Sequence, residues 1–114
     1  MKFALMIYQP HPFDPKRLSL EEHTALAADY RAVSTAPGVT PGPALGFASK
    51  ATTVRVHEGA IVTAPGPYGG EAHAVGGFMI LEAESADEAV ALAARIPAAR
   101  LGGAIEVRPC EVYW

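Results

Sequence analysis

The chain has 114 residues, a length that fits one domain with a single hydrophobic core. Half of the residues are hydrophobic and 18% are charged, which is typical of a globular protein and argues against intrinsic disorder. The net charge is −3 without a cluster of Lys and Arg, and no apolar run approaches the roughly 20 residues that cross a bilayer, so partners of nucleic acid or membrane are not expected.

The N-terminal third predicts a strand, a loop and a helix. Residues 2–8 are dense in apolar and aromatic types, which is typical of a buried strand. A secretory signal peptide is disfavoured, because the apolar run is short and a Gln-Pro-His-Pro segment replaces a small-residue cleavage site. The prolines of residues 9–17 predict a loop, and Ser19 with Glu22 forms the Ser-x-x-Glu pattern of a capping box. The spacing of the residues that follow predicts the first helix at about 19–34.

The middle of the chain predicts two Pro/Gly loops that flank a β-hairpin. Residues 35–44 are interrupted by prolines and glycines, which predicts an extended loop. Residues 51–57 alternate and are rich in β-branched types, and residues 60–63 answer them across the turn dipeptide Glu58-Gly59. The second loop spans residues 64–73.

A long apolar strand is predicted over residues 74–83, where both alternating sets of side chains are apolar. Within it, Gly76 and Gly77 indicate a bulge or a close approach of another segment. A strand that is buried on both faces needs a layer on each side. Helices supply one layer, and a homodimer that stacks its two sheets face to face is the simplest source of the other.

The C-terminal third predicts a second helix and a last strand. Ser85 and Glu88 form a second capping box, and an amphipathic pattern extends over 86–96. Residues 104–109 alternate as a strand, and residues 110–114 are predicted to continue the extended run. The inner stripe of the second helix is predicted to consist of Ala89, Leu92, Ala93 and Ile96.

The order of these elements predicts one α+β domain over residues 1–114. An antiparallel sheet with two helices on one face gives a ferredoxin-like sandwich. The single Cys110 has no internal partner for a disulfide, which favours a reducing compartment and therefore the cytoplasm. Its thiol lacks an obvious activating group and is predicted to be a small buried hydrophobe.

Five segments, in matching order over nearly the whole chain, resemble the YCII-related (DGPF-domain) proteins of bacteria, within the YciI-like superfamily. Residues 62–78 resemble the family signature TDGPFAETKEQLGGF, with Gly66-Pro67-Tyr68 in place of its Gly-Pro-Phe. The other segments are residues 2–8, which resemble KYMLLIY; residues 51–55, which resemble ATTVR; and residues 94–100 and 105–109, which resemble AxxCPAAR and VEVRP.

The resemblance implies a ferredoxin-like fold in a dimeric α/β-barrel type of assembly, and a family whose biochemical activity is mostly unassigned. Pro65 stands where the signature has its Asp, so the chain is a divergent member and no role of that Asp is carried over. Related YciI proteins carry a His on the first helix and an Asp, proposed as an acid/base pair. His23 matches that His by position, whereas Asp29 is only a candidate, since six residues place it on another face of the helix.

Two histidines are the candidate catalytic residues. His23 lies on the first helix and His73 adjoins the long strand, and a histidine titrates near neutral pH, as a general acid/base requires. For each, a packed or surface histidine is the alternative. Glu71 shares the loop with His73 and is a candidate ligand-binding residue. Even with help from His11 or His57 these residues fall short of a convincing metal site, so no metal and no other cofactor is predicted.

Three further residues are candidates for ligand binding. Tyr8 and Tyr68 each either line a pocket with a free hydroxyl or serve as packed aromatics. Arg100 either clamps an anionic ligand or forms an ion pair with an acidic residue, for which Glu106 and Asp87 are the candidates.

Functions of different classes remain open at this point. One is a small acid/base enzyme that acts on a small organic molecule in a pocket under the 64–73 loop. The alternative is a non-catalytic dimeric module that binds a ligand or regulates, and a third is a domain whose sheet face only builds oligomers. The position of His23 and His73 relative to a shared cavity distinguishes the first from the others.

Overall fold

The computed structural model describes residues 1–11 and 14–112. Residues 12–13 of the first predicted loop, and residues 113–114 of the predicted C-terminal extension, lie outside the described part of the chain. Along the described residues the strands and α-helices follow in the order β1 (Lys2–Tyr8), α1 (Leu20–Ser34), β2 (Val39–Pro41), β3 (Thr52–His57), β4 (Ala60–Pro65), β5 (Val75–Glu82), α2 (Ala86–Ala93), α3 (Pro97–Arg100) and β6 (Ala104–Pro109).

The main sheet is antiparallel and has the strand order β2-β5-β1-β6. The two longest strands, β1 and β5, are its centre, and the two helical crossovers lead outward to its edges. The α+β class is therefore confirmed, and the arrangement is consistent with the predicted ferredoxin-like sandwich.

The core lies on one face of this sheet. In β1 the buried residues are Phe3, Leu5 and Ile7, and they alternate with half-buried ones, as the period of two in a strand requires. All helices contribute to the same buried cluster, so they cover the same face. The cluster includes Val33, Ala89, Ala93 and Ala98 from these helices and Ile96 from the turn between α2 and α3. Leu92 packs at its margin, so all four predicted stripe residues contact the core, although Ile96 lies beyond the end of the second helix.

Both predicted helix starts are confirmed. Ser19 accepts a hydrogen bond from the Glu22 amide at 3.0 Å, and the Glu22 carboxylate accepts one from the Ser19 amide at 3.2 Å, which completes the capping box. Ser85 accepts from the Glu88 amide at 3.3 Å, but the Glu88 carboxylate accepts from the Glu84 amide at 2.9 Å, so the second capping box is only half formed. The second helix ends at Ala93 instead of 96, and the chain turns before the short helix α3 that begins with Pro97.

The predicted extended loop at 35–44 contains a short strand that the sequence analysis missed. Strand β2 pairs with β5 through Val39–Pro41, and the Gly42 amide donates to the Phe78 carbonyl at 3.0 Å. Proline is tolerated there because β2 is an edge strand. The prolines of this segment predicted a loop, so the sequence did not indicate the strand.

The predicted hairpin is present, and it is separate from the main sheet. Strands β3 and β4 pair only with each other in a two-stranded sheet, whereas β2 is the strand that pairs with the outer side of β5. Both turn residues have positive φ, 50° at Glu58 and 82° at Gly59, which is the backbone of a type I′ turn.

The predicted irregularity at the paired glycines is confirmed as a bulge. Ile7 pairs with Gly77 and Tyr8 pairs with Val75, so Gly76 is an extra residue in β5. A Cβ on Gly76 would come within 2.7 Å of the Gln9 side chain. The lack of a side chain at Gly76 therefore makes room for Gln9 where β1 ends.

Two other features concern the surface. Cys110 was predicted to be buried, but it is exposed. It follows the last residue pair of the edge strand β6, and its amide donates to the Lys2 carbonyl at 2.8 Å.

Among the described helices, none combines the length and the apolar character that a membrane crossing would need.

Candidate functional site

Two neighbouring cavities lie where β1 ends and β5 begins. The larger has a volume of about 600 Å³ and the smaller of about 400 Å³. Both are lined by the segment between β2 and β3, which passes along them with Leu45, Gly46, Phe47, Ala48 and Lys50, and by Ala74 and Val75. The two cavities therefore share one wall.

Local sequence explains why this wall forms. Residues 42–51 are rich in Gly, Pro and Ala and contain only the 3₁₀ turn Ala48–Lys50, closed by the Lys50 amide donating to the Phe47 carbonyl at 2.9 Å. Because no helix or strand provides hydrogen bonds for most of its backbone groups, the segment stays at the surface, where water can bind them. Leu45 and Phe47 are exposed there.

The larger cavity combines an apolar lining with ionisable side chains. Pro10, Leu45, Phe47 and Val75 are among its apolar residues. Its ionisable residues are His11, Lys50 and Glu71, and its neutral polar ones include Gln9 and Ser49. Such a lining can hold the apolar body of a small molecule and pair with a charge or accept a proton at the edge.

Gln9 is held at this cavity by the fold. Its side-chain amide donates to the hydroxyl of Tyr30 on α1 at 3.3 Å. With the bulge at Gly76 on its other side, the Gln9 side chain lies between the main sheet, α1 and the cavity. This is a defined polar position next to an apolar wall.

The smaller cavity contains two of the predicted site residues, Tyr68 and His73. The Arg55 guanidinium lies 5.6 Å from the centre of the Tyr68 ring, within cation–π range. Arg55 belongs to the Ala-Thr-Thr-Val-Arg segment and Tyr68 to the Gly-Pro-Tyr turn, so two segments that carried the family resemblance contact each other here.

The two candidate catalytic histidines do not share a cavity. His23 is exposed on α1, and its Nε2 lies 2.9 Å from the Pro15 carbonyl oxygen, so it contacts the 3₁₀ turn Pro15–Arg17. It lines neither cavity, whereas His73 lines the smaller one. The remaining candidate on a cavity wall is Glu71, in the larger one.

Arg100 and Tyr8 also lie outside both cavities. The Arg100 Nη2 is 2.6 Å from the Asp29 Oδ2, so the pair joins α3 to α1, and neither of the expected partners Glu106 and Asp87 is used. Tyr8 is half-buried at the end of β1, between Val75 and Ala104, on the face of the sheet opposite the helices.

Sequence reasoning missed Lys50 and Gln9. Lys50 lines both cavities and forms no ion pair with any described residue. A signal existed, because it is the only charged residue between Arg31 and Arg55. Gln9 had no signal, since its role depends on the bulge in a distant strand.

Within residues 1–11 and 14–112, no three His, Cys, Asp or Glu side chains lie close enough together to hold a metal ion.

Comparison with known proteins identifies a family. The family model described as YCII-related domain matches residues 1–112. No curated protein matches the chain.

Proposed function

This chain belongs to the YCII-related domain family, and on that premise we propose that it is a non-catalytic dimeric module that binds a small organic molecule. The ligand has an apolar body and an anionic group. The observation that carries the proposal is the apolar wall shared by two cavities, in which Lys50 is the one lysine or arginine among the described residues and forms no ion pair with any of them.

The apolar body accounts for most of the binding free energy. Removing apolar surface from water stabilises by about 25 cal/mol per Å². An exposed ion pair with Lys50 adds only about 0.2–1 kcal/mol, so it selects the ligand's charge and orientation more than it sets the affinity.

The arrangement of the histidines favours binding over the acid/base enzyme predicted with His23 or His73. A general acid/base must reach the proton that it transfers. His23 faces the Pro15 carbonyl, away from both cavities, which leaves no shared void for the two histidines.

A second function is favoured by one observation. His11 and Glu71 line the same larger cavity and could move a proton on a bound molecule. Incubation of the chain with a metabolite mixture, followed by mass spectrometry of bound and free compounds, distinguishes the two functions. We expect a compound to be retained unchanged. Conversion of a compound that His11→Asn abolishes would instead establish the enzyme.

The dimer is supported by the uncovered face of the main sheet. Five neighbouring residues there are only half-buried although they are apolar or aromatic: Ala4, Met6, Tyr8, Phe78 and Ile80. Contiguous apolar surface of this kind marks an interaction site in soluble proteins. A second copy that stacks its own sheet on this face covers both faces at once.

A cytoplasmic location is part of the same proposal. Its support is the exposed free thiol of Cys110, which persists unpaired in a reducing compartment.

Binding of 1-anilinonaphthalene-8-sulfonate, an apolar dye with one sulfonate, tests the ligand class. We expect saturable fluorescence enhancement with one dye per chain. Lys50→Gln should weaken the affinity by roughly 1.4-fold to fivefold, the effect of losing one exposed ion pair of about 0.2–1 kcal/mol.

Two variants control this measurement. Lys16→Gln removes the same charge from the 3₁₀ turn Pro15–Arg17, outside both cavities, and should leave the affinity unchanged. Ala74 lines both cavities, so the large side chain of Ala74→Trp should fill the space beside the shared wall and abolish the fluorescence enhancement. Equal affinities of the two lysine variants, or undiminished binding by Ala74→Trp, would contradict the proposal.

A further inference from the structure

The β3–β4 hairpin projects from the body of the protein. Neither strand hydrogen-bonds to the main sheet, and neither packs substantially on any described helix or other strand. Of its paired residues only Thr53 is partly covered. A two-stranded hairpin is marginally stable in water on its own, so this one needs a surface to pack on.

One face of the hairpin is apolar and the other is mixed. Val54, Val56 and Ile61 share the apolar face and are 60%, 69% and 76% exposed. The opposite face carries Arg55, whose guanidinium lies over the Tyr68 ring. Val62 lies beside Arg55 on this face, as its partner across the hairpin. Three adjacent exposed β-branched side chains form a contiguous apolar patch, which is typical of a contact surface.

The chain exposes more surface than is expected for a compact monomer of the same mass. Its accessible surface is 8161 Å², against about 5900 Å² expected for a compact monomer of this mass. Its radius of gyration is 15.9 Å, against about 13 Å expected for this length. The surplus exceeds the roughly 800 Å² that each partner buries in an interface of standard size.

We propose that the hairpin is an exchanged arm, whose apolar face packs on a second copy of this chain, reciprocally about a two-fold axis. The partner is a second copy because the surplus area is large enough to supply each protomer's share of a stable interface, and because a two-fold axis gives both hairpins the same contact. The proposal deepens the dimer proposed above and rests on it.

The arm connects directly to the cavity walls. Lys50 precedes β3 by two positions, and Tyr68 follows β4 by three. At the base of the arm the Gly66 amide donates to the Ala51 carbonyl at 2.7 Å, and the Thr53 hydroxyl donates to the Gly66 carbonyl at 2.8 Å. Anchoring the arm on a partner therefore fixes both lining segments, and ligand affinity should depend on dimerisation.

Analytical ultracentrifugation of arm variants tests the inference. We expect the natural chain to be a dimer at micromolar concentration. The double variant V56K/I61K should raise the dimer dissociation constant by roughly a hundredfold, because it places two unpaired charges in the interface. It should also weaken dye binding. Val56 and Ile61 pair across the hairpin, so this variant also places like charges opposite each other, and circular dichroism checks that the strands are retained. The control variant Val62→Lys carries the same kind of repulsion, because it places a lysine opposite Arg55.

The matched control is Val62→Lys, at the position next to Ile61 but on the opposite face of the hairpin. It should remain dimeric. The proposal that the hairpin packs on a second copy would be overturned if V56K/I61K remained dimeric, or if the control dissociated to the same extent. If Arg108→Glu on the uncovered sheet face dissociates the dimer while V56K/I61K does not, the arm alone fails and the sheet-face dimer stands. A monomeric natural chain overturns both, and dye binding by that monomer would leave the ligand proposal intact.

Discussion

Replacement of Gly103 by alanine should destabilise the fold by about 3 kcal/mol or more, since steric overlap in a packed region costs about 1–3 kcal/mol even when side chains can adjust. Gly103 lies just before β6, and its amide donates to the Ala98 carbonyl at 2.9 Å. A Cβ at this position would overlap the Tyr8 carbonyl oxygen and come within 3.0 Å of the Ala98 carbonyl oxygen. Both are backbone atoms, and Tyr8 belongs to a central strand that pairs on both sides. Neither can move without loss of hydrogen bonds.

Urea denaturation followed by circular dichroism measures this effect. Gly69→Ala is the matched control, because a Cβ there would have open space and its φ is not positive. It should change the free energy of unfolding by no more than about 0.5 kcal/mol. If the two variants unfolded at the same urea concentration, the close approach at Gly103 would be refuted.

Reversal of charge at Arg108 should weaken the proposed dimer by about a hundredfold, because like charges facing each other across an interface cost several kcal/mol. Ile105 and Val107 pack towards the core, so Glu106 and Arg108 lie on the uncovered face of the sheet. Residues two apart on one strand, with opposite charges, are self-complementary about a two-fold axis: Glu106 meets the partner's Arg108, and Arg108 meets the partner's Glu106. Arg108→Glu makes both positions acidic.

Sedimentation velocity of three variants gives a stringent test. Arg108→Glu should dissociate the dimer, and the exchanged double variant E106R/R108E should restore it, because the two charges remain complementary. Arg17→Glu makes the same change of net charge on the exposed 3₁₀ turn before α1 and should remain dimeric. Failure of the exchanged variant to recover would mean that these residues do not face each other.

Much of the fold could be predicted, because the relevant signals are local. The capping box at Ser19 and Glu22, the alternation in β3 and the Glu58-Gly59 turn depend only on neighbours in the chain, and each formed as expected. The short strand β2 could not be recognised, because its pairing with β5 is decided by a segment 40 residues away.

The candidate site was less predictable than the fold. Residue type alone made His23 and Arg100 candidates. In the folded chain His23 contacts the Pro15 carbonyl, and Arg100 forms an ion pair with Asp29. Lys50 carried a weak signal, as a lone charge in a long uncharged segment, but only the fold places it between two cavities.

The α+β class, the type and approximate bounds of most elements, and the family could all be predicted from the residues, as could an irregularity at Gly76 and Gly77. These follow from periodicity, capping and turn chemistry, which act over a few residues, and from segments whose order is preserved. Three features became visible only in the folded chain: the hairpin is separate from the main sheet, β2 forms an edge of that sheet, and Gln9 and Lys50 line the same cavity. The physical reason is that strand pairing and cavity lining join residues far apart in the chain, and local pattern carries no information about which distant strand provides the hydrogen bonds.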